Sequence, residues 1–311
     1  MNLRRLSVIA LSNRDYPSLK EKIAEAVSWL ELASRQGSEL AVLPECLNRF
    51  RGDGGPLLQT PDQYAFDDWR KEVAPLLEAA VRLKLWVIVP VVHRQPAGVF
   101  NSFFLISPDG QPVWQYDKVS PSPVELKAGV IPGQPSFYEW QGIKLGGAIC
   151  FDSCFPENLD VWAKEGVQLG IFASLWPGGS QLNNYCKLHS SRVAVAYPAW
   201  SRIIDIDGLE VVEGGYRQET LRFGFGAPVY TATLNFDRLS LYGNYNQERI
   251  VEILQRYGSR VKVTYDQGNC LWFLESCDPE LSEKEIQREY QLVTASEYFR
   301  DCAARIQEHR R

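Results

Sequence analysis

The chain has 311 residues, of which 45 % are hydrophobic and 23 % charged, and its formal net charge is −5. This is the composition of an ordinary globular protein long enough to bury a large core. The acidic balance argues against nucleic acid as a main partner, and no apolar run nears the roughly 18 residues of a membrane span. Seven scattered cysteines, an odd number, fit free thiols in a reducing cytoplasm better than a disulfide framework. With only three histidines (His93, His189 and His309) and no paired CxxC, no metal site is expected.

In chain order, Leu6–Leu11 reads as a buried strand, its apolar stretch being too short for a signal peptide. Ser18–Gln36 carries Ile23, Ala26, Val27, Leu30 and Ala33 at helical spacing and is stopped by Gly37. Glu39–Pro44 is a short buried strand ending in a carboxylate, Glu45, and 46–66 is loop. Asp67–Lys84 is a helix kinked or restarted at Pro75, and Leu85–Val92 a buried strand. Phe100–Ser107 and Val113–Val119 form a hairpin about Pro108-Asp109-Gly110. Pro121–Pro135, with four prolines, reads as an irregular loop. A second hairpin, Phe137–Trp140 with Lys144–Ile149, leads into Cys150.

Cys150 ends a buried strand, and Asp152, Ser153 and Pro156 are helix-start residues, so a helix follows to Gly166. A cysteine beside a helix N-terminus is expected to favour the thiolate. Leu169–Trp176 is a strand, Leu182–Val195 a helix, and Trp200–Ile206 and Val229–Asn235 strands. Asn246–Gly258 and Leu281–His309 read as helices around strand-like Val261–Tyr265 and Leu271–Leu274. Neither a repeat nor a linker is visible. Alternating strands and helices with interleaved hairpins predict helices packed outside mixed sheets in one α/β domain.

Three groups share one position, just past the C-terminal end of a strand: Glu45, Lys118 and Cys150. Singly each is ordinary, because surface Glu and Lys are usually solvated and Cys is often a small buried apolar residue. Together they form a pattern. Leu43-Pro44-Glu45, Tyr116-Asp117-Lys118 and Gly147-Ala148-Ile149-Cys150-Phe151-Asp152, followed by Phe155-Pro156-Glu157, resemble the motifs of the nitrilase superfamily of carbon–nitrogen hydrolases. Gly166–Trp176 is similar to the strand that follows the nucleophile, and the resemblance runs from residue 1 to about 236.

The resemblance implies a four-layered α-β-β-α sandwich over residues 1–240; beyond it, 241–311 reads from its own amphipathic pattern as a C-terminal extension packed on the same domain or on a partner subunit. It implies a homo-oligomer, usually a dimer, and no cofactor. It also implies Cys150 as nucleophile, Glu45 as general base and acid, and Lys118 with the Phe151 N–H as oxyanion donors. A second glutamate is implied between lysine and cysteine, for which Glu125 is the candidate and Glu139 reads as an exposed strand residue. Trp176 is a pocket candidate. The reaction implied is cleavage of an amide, carbamoyl or nitrile C–N bond of a small molecule through a thioester, with neither nucleic acid nor membrane as partner.

Departures lie at Cys154 and in Ser191-Arg192-Val193-Ala194, where the family's usual helix is faint; this leaves the substrate open. An acyltransferase on the same fold and a catalytically silent binding relative remain alternatives. A Cys–His peptidase is a third, and it would need His189 within reach of Cys150.

Overall fold

The computed structural model describes residues 2–11, 16–49, 60–215 and 228–310. Alternating burial along the strands builds the architecture. In β1 (Leu3–Ile9) and β2 (Leu40–Val42), Leu6, Val8, Leu40 and Val42 point to one core, and Ile9 and Ala41 to another. β1 pairs in parallel with β2 and β2 with β3 (Trp86–Gln95). β4 (Gly98–Ile106) and β5 (Pro112–Asp117) extend this sheet antiparallel, and β12 (Val229–Asn235) closes its other edge against β1. Helices α1 (Leu19–Arg35), α2 (Pro61–Tyr64), α3 (Trp69–Glu72) and α4 (Ala74–Leu83) belong to this half of the chain. Ile23, Ala26, Leu30 and Ala33 of α1 and Leu76, Ala79 and Ala80 of α4 cover the sheet's outer face.

The second sheet runs β11-β10-β9-β8-β7-β6. It comprises β6 (Phe137–Trp140), β7 (Ile143–Ile149), β8 (Leu169–Ala173), β9 (Arg192–Ala196), β10 (Ser201–Ile204) and β11 (Glu210–Gly214). β7, β8 and β9 are parallel. Helices α6 (Pro156–Glu165) and α7 (Gln181–His189) cover its outer face through Leu159, Trp162, Leu182 and Tyr185. Between the sheets Leu6, Ile88, Phe103 and Tyr116 meet Leu145, Ile149, Ile171 and Ile203. The layers are therefore α-β-β-α, as expected from the resemblance.

Two adjacent glycines set how closely these layers approach. A Cβ on Gly146 would meet Trp162 of α6 at 2.9 Å, and one on Gly147 would meet the Tyr116 ring of the opposite sheet at 2.4 Å. Trp162 is fixed there by its indole N–H, which donates to the Gly147 carbonyl at 3.1 Å. The glycines thus let helix and sheets close on the strand that carries Cys150.

Several expected elements differ. Leu182–Val195 is not one helix: α7 stops at Ser190, whose φ is +52°, and Arg192–Ala196 is a fully buried parallel strand. Val193 and Val195 are β-branched, and a short apolar run buried on both faces has no periodicity that separates strand from helix. Leu281–His309 is likewise two helices, α9 (Glu283–Tyr290) and α10 (Ala295–His309), separated at Gln291 with φ +49°. The capping boxes Ser282/Glu285 and Thr294/Glu297 start each of them. β8 stops at Ala173, so Ser174, Leu175 and Trp176 lie beyond the sheet. The Pro121–Pro135 loop contains a short helix, α5 (Pro123–Lys127). β11 had no expected counterpart.

A third sheet, β13 (Arg238–Tyr242), β15 (Leu271–Ser276) and β14 (Val261–Asp266), packs with α8 (Gly243–Tyr257) and α9 around Leu241, Ile250, Ile253, Leu274 and Ile286. It is tied to the second sheet by Arg238, which pairs with Asp205 and, at 2.8 Å, with Asp207. Ser240 Oγ also donates to the Lys187 carbonyl at 3.0 Å. Among the described residues no helix is long and apolar enough to cross a membrane.

Replacing Gly147 by Ala forces Tyr116, 2 % exposed, to move inside a close-packed intersheet core. The variant is expected to lose about 1–3 kcal/mol, read as a lower midpoint in denaturant unfolding with an unchanged m-value.

Candidate active site

Glu45 lies three residues past β2, on a loop that stays pinned to β3. Leu43 and Leu47 N–H donate to the Ile88 and Pro90 carbonyls, and the Asn48 side chain closes a two-way pair with the Val92 backbone at 2.8 and 3.0 Å. Lys118 is the first residue beyond β5, and its N–H donates to the Asn101 carbonyl of β4 at 2.9 Å. Glu125 is the third residue of α5, where its Oε2 accepts the Ser122 N–H at 2.7 Å in a capping box. Cys150 directly follows β7.

These elements bring three charges together out of water. Lys118 Nζ donates to Glu45 Oε1 at 2.9 Å and lies 3.0 and 2.9 Å from the two Glu125 oxygens, with Lys118 and Glu45 only 2 and 3 % exposed. Asn101 Nδ2 donates to Glu45 Oε1 at 2.8 Å and to Glu125 Oε1 at 2.7 Å. Its amide is thereby oriented, since the flipped form would face two carboxylates with an oxygen. The remaining Glu45 oxygen accepts the Leu175 N–H at 2.9 Å.

Burial by itself lowers the Lys118 pKa, but Glu45 and Glu125 more than reverse this and hold the ammonium protonated well above the lysine range. Burial raises Glu125, and the Lys118 charge and hydrogen bonds outweigh it, leaving that carboxyl below its ordinary value.

Cys150 sits at φ +46°, a left-handed conformation that disfavours a side chain. Neighbouring contacts hold the turn. Asp152, fully buried, accepts from Tyr116 OH at 2.8 Å, Ile149 N–H at 2.8 Å and Ser120 N–H at 2.6 Å. Ser153 Oγ donates to the Cys150 carbonyl at 3.0 Å. Backbone strain fixed in this way accompanies functional positions.

The thiolate expectation fails. Residues 150–154 form a 3₁₀ turn, and α6 begins only at Pro156. Burial, reinforced by the Glu45 charge, pushes the Cys150 thiol up to about 12, against weaker opposing pulls from Lys118, the Ser174 hydroxyl and the Leu175 N–H. Cys150 therefore rests as a thiol.

A cavity of about 600 Å³ opens over this cluster, lined by Glu45, Lys118, Glu125 and Cys150. Phe151 and Trp176, both anticipated from the sequence, also line it, Trp176 being 40 % exposed. Glu139 is an exposed residue of β6. His189 packs on the Tyr185 ring at 4.8 Å and does not line the cavity, and His93 is buried 3.0 Å from Ser102 Oγ, so a Cys–His pair is absent among the described residues. The sequence reading missed Asn101 and Leu175. Neither carries a motif of its own, and only strand pairing places them against the glutamates.

A four-layered sandwich with a lined cavity at its strand ends is the architecture of nitrilase-superfamily enzymes. The profile of the carbon–nitrogen hydrolase family matches residues 5–199, and the chain belongs to that family. It is 25 % identical over 165 residues to nitrilase homolog 2 of Dictyostelium discoideum, covering 49 % of each chain. To 2-oxoglutaramate amidase of Bacillus subtilis it is 25 % identical over 168 residues, 52 % of this chain and 61 % of that one. The chain thus spans about half to three fifths of the length of these relatives. The mouse omega-amidase NIT2 is 24 % identical over 71 % of this chain and 88 % of its own. Among solved structures, the amidase from Nesterenkonia sp. AN1 has a TM-score of 0.61 at 19 % identity, covering 82 % of this chain and 99 % of that one. Nit3 of Saccharomyces cerevisiae also has 0.61 at 19 %, covering 82 and 94 %.

Because the Cys150 thiol titrates near 12, its thiolate fraction should keep rising with pH through the neutral and mildly alkaline range. Carbamidomethylation of Cys150 by iodoacetamide, followed by intact mass and peptide mapping, is expected to accelerate about tenfold per pH unit from 7 to 10. A plateau near pH 8 would mark an ordinary or activated thiol instead.

Proposed function

We propose that the protein hydrolyses the C–N bond of a small amide through a Cys150 thioester. The observation that carries this reading is the buried Lys118 ammonium shared by Glu45 and Glu125 on the wall of the cavity that Cys150 also lines. The amidase names of the relatives above support the choice of an amide over a nitrile.

In this mechanism Glu45 accepts the thiol proton as the Cys150 sulfur bonds to the carbonyl carbon. The electron pair of the carbonyl moves to oxygen, and the oxyanion is met by the Lys118 ammonium and the Phe151 N–H. Losing one such donor typically costs about 3 kcal/mol of barrier. Collapse of this intermediate breaks the C–N bond, and the proton held by Glu45 leaves with ammonia or the amine. Glu45 then takes a proton from water, which attacks the thioester and releases the carboxylic acid and the thiol.

The same carboxylate serves twice because each half-reaction returns it to the charged form. Glu125 and Asn101 hold Lys118 and Glu45 in one orientation through their hydrogen bonds. Trp176 and Phe151 supply apolar wall to the substrate side.

The test is intact mass and ammonia release after incubation with a panel of small amides. The wild type is expected to gain a transient acyl mass on Cys150 and to release ammonia, and Cys150→Ala to do neither. Glu45→Gln should lower kcat/KM by a factor of about 10²–10⁴ while binding persists. Ammonia release by Cys150→Ala at the wild-type rate would rule the mechanism out. An acyl adduct discharged faster by added amines than by water would identify an acyltransferase.

A further inference from the structure

Ser174 is the first residue past β8, and its backbone N–H still donates to the Ala196 carbonyl of β9 at 2.9 Å. The residue is fully buried, so its hydroxyl must find partners inside the protein. Oγ accepts the Trp176 N–H at 2.8 Å and donates to the Trp176 carbonyl at 2.5 Å. The side chain thereby folds 174–176 into a tight turn, a hydroxyl standing in for backbone. That turn aims the Leu175 N–H at Glu45 Oε2, 2.9 Å away.

The same hydroxyl reaches the Cys150 sulfur. Ser174 Oγ and the Leu175 N–H both hydrogen-bond to it, and both work against the burial that holds the thiol up. A hydroxyl has one proton and two lone pairs. The Ser174 proton thus has two acceptors, the Trp176 carbonyl and the sulfur. Rotation about Cβ–Oγ exchanges them while a lone pair keeps the Trp176 N–H. Beside a neutral thiol the carbonyl is the better acceptor. Beside a thiolate the sulfur is, because a charge-assisted hydrogen bond is about twice as strong as a neutral one. The Leu175 N–H is shared with the Glu45 carboxylate, and Lys118 is committed to two carboxylates. Ser174 is therefore the donor that can follow the charge on sulfur.

We propose that Ser174 is a further catalytic residue, whose hydroxyl turns from the Trp176 carbonyl to the Cys150 sulfur whenever that sulfur is negative. Its O–H bond stays intact throughout; only the direction of donation changes. The sulfur is negative when its proton has left and again when the thioester breaks. The second occasion rests on the hydrolase reading, and the first does not.

The experiment compares the wild type with Ser174→Ala and Ser174→Thr, with denaturant midpoints showing that each is folded. Initial rates of carbamidomethylation by iodoacetamide at pH 8 are mapped to Cys150. Cys154, an exposed thiol lining the same cavity, is the internal reference. Without the donor the Cys150 thiolate fraction falls about tenfold. A more basic thiolate is also more nucleophilic, so the Cys150 rate in Ser174→Ala is expected to fall about three- to fivefold. Ser174→Thr keeps the hydroxyl and should stay within about twofold of the wild type, as should Cys154 in all three proteins. A merely structural role predicts the opposite sign. A loosened turn lets water reach the sulfur, relieves the burial that disfavours its anion, and speeds Cys150. In ammonia release from the amide turned over fastest, Ser174→Ala should lose about three- to tenfold in kcat with KM within about twofold.

Cys150 alkylation in Ser174→Ala at the wild-type rate or faster overturns the inference, as does equal slowing in Ser174→Ala and Ser174→Thr. Slower alkylation with no ammonia from any of the three proteins sinks the hydrolase reading and leaves the hydrogen bond to the ionised sulfur standing. Ammonia release with unslowed alkylation does the reverse.

Discussion

The site depends on one buried ammonium. Two carboxylates face each other through Lys118, and neither is tolerable at that depth without it: isolated charges in a protein interior are expensive, and like charges at this separation repel. Lys118 in turn is held because β4 and β5 continue their ladder one residue beyond Asp117, so that its backbone N–H reaches the Asn101 carbonyl. The Asn101 amide then spans the same two carboxylates. Sheet register and charge balance are here a single constraint. A slip of one residue in β4 or β5 would send Asn101 or Lys118 to the opposite face and leave the carboxylates unpaired.

The constraint extends to the second sheet. Glu45 belongs to the first sheet's edge of the cavity, yet one of its oxygens is held by the Leu175 N–H just past β8 of the other. Asp152 performs the matching task on the Cys150 side, gathering donors from β5, β7 and the Ser120 segment around the turn that carries Cys150. The gap between the sheets is set by Gly147 against Tyr116, the same tyrosine whose hydroxyl reaches Asp152. Intersheet packing and the geometry of the Cys150 turn are thus fixed by one side chain.

The chemistry follows from how this environment treats charge. The cluster of two carboxylates and one ammonium is net negative, and it lies beside a thiol that burial already disfavours as an anion. A resting thiol protects the cysteine from adventitious electrophiles and oxidation, which act on the thiolate. In the proposed mechanism the proton leaves for Glu45 as the carbon–sulfur bond forms, and the adjacent ammonium takes up the negative charge that passes to the substrate oxygen.

Much of this was legible in the order of residues. Strand-end Glu45, Lys118 and Cys150 carry local motifs, and the alternation of apolar runs placed most strands and α1, α4, α6 and α8. Local signals also existed where the reading fell short: the capping boxes at Ser282 and Thr294 mark the break in the C-terminal helix, and the one at Ser122 marks α5. The sequence by itself determined the family and the layering of helices on mixed sheets, and it singled out Glu45, Lys118 and Cys150 as candidates, because these are properties of short segments. Only the tertiary structure decided that Arg192–Ala196 is a strand, that Asn101 and the Leu175 N–H complete the carboxylate cluster, and that Cys150 rests protonated. Each of these is a relation between residues far apart in the chain, up to 130 positions for Leu175 and Glu45. Burial and pairing at such separations are set by strand register and sheet packing, which no local pattern encodes.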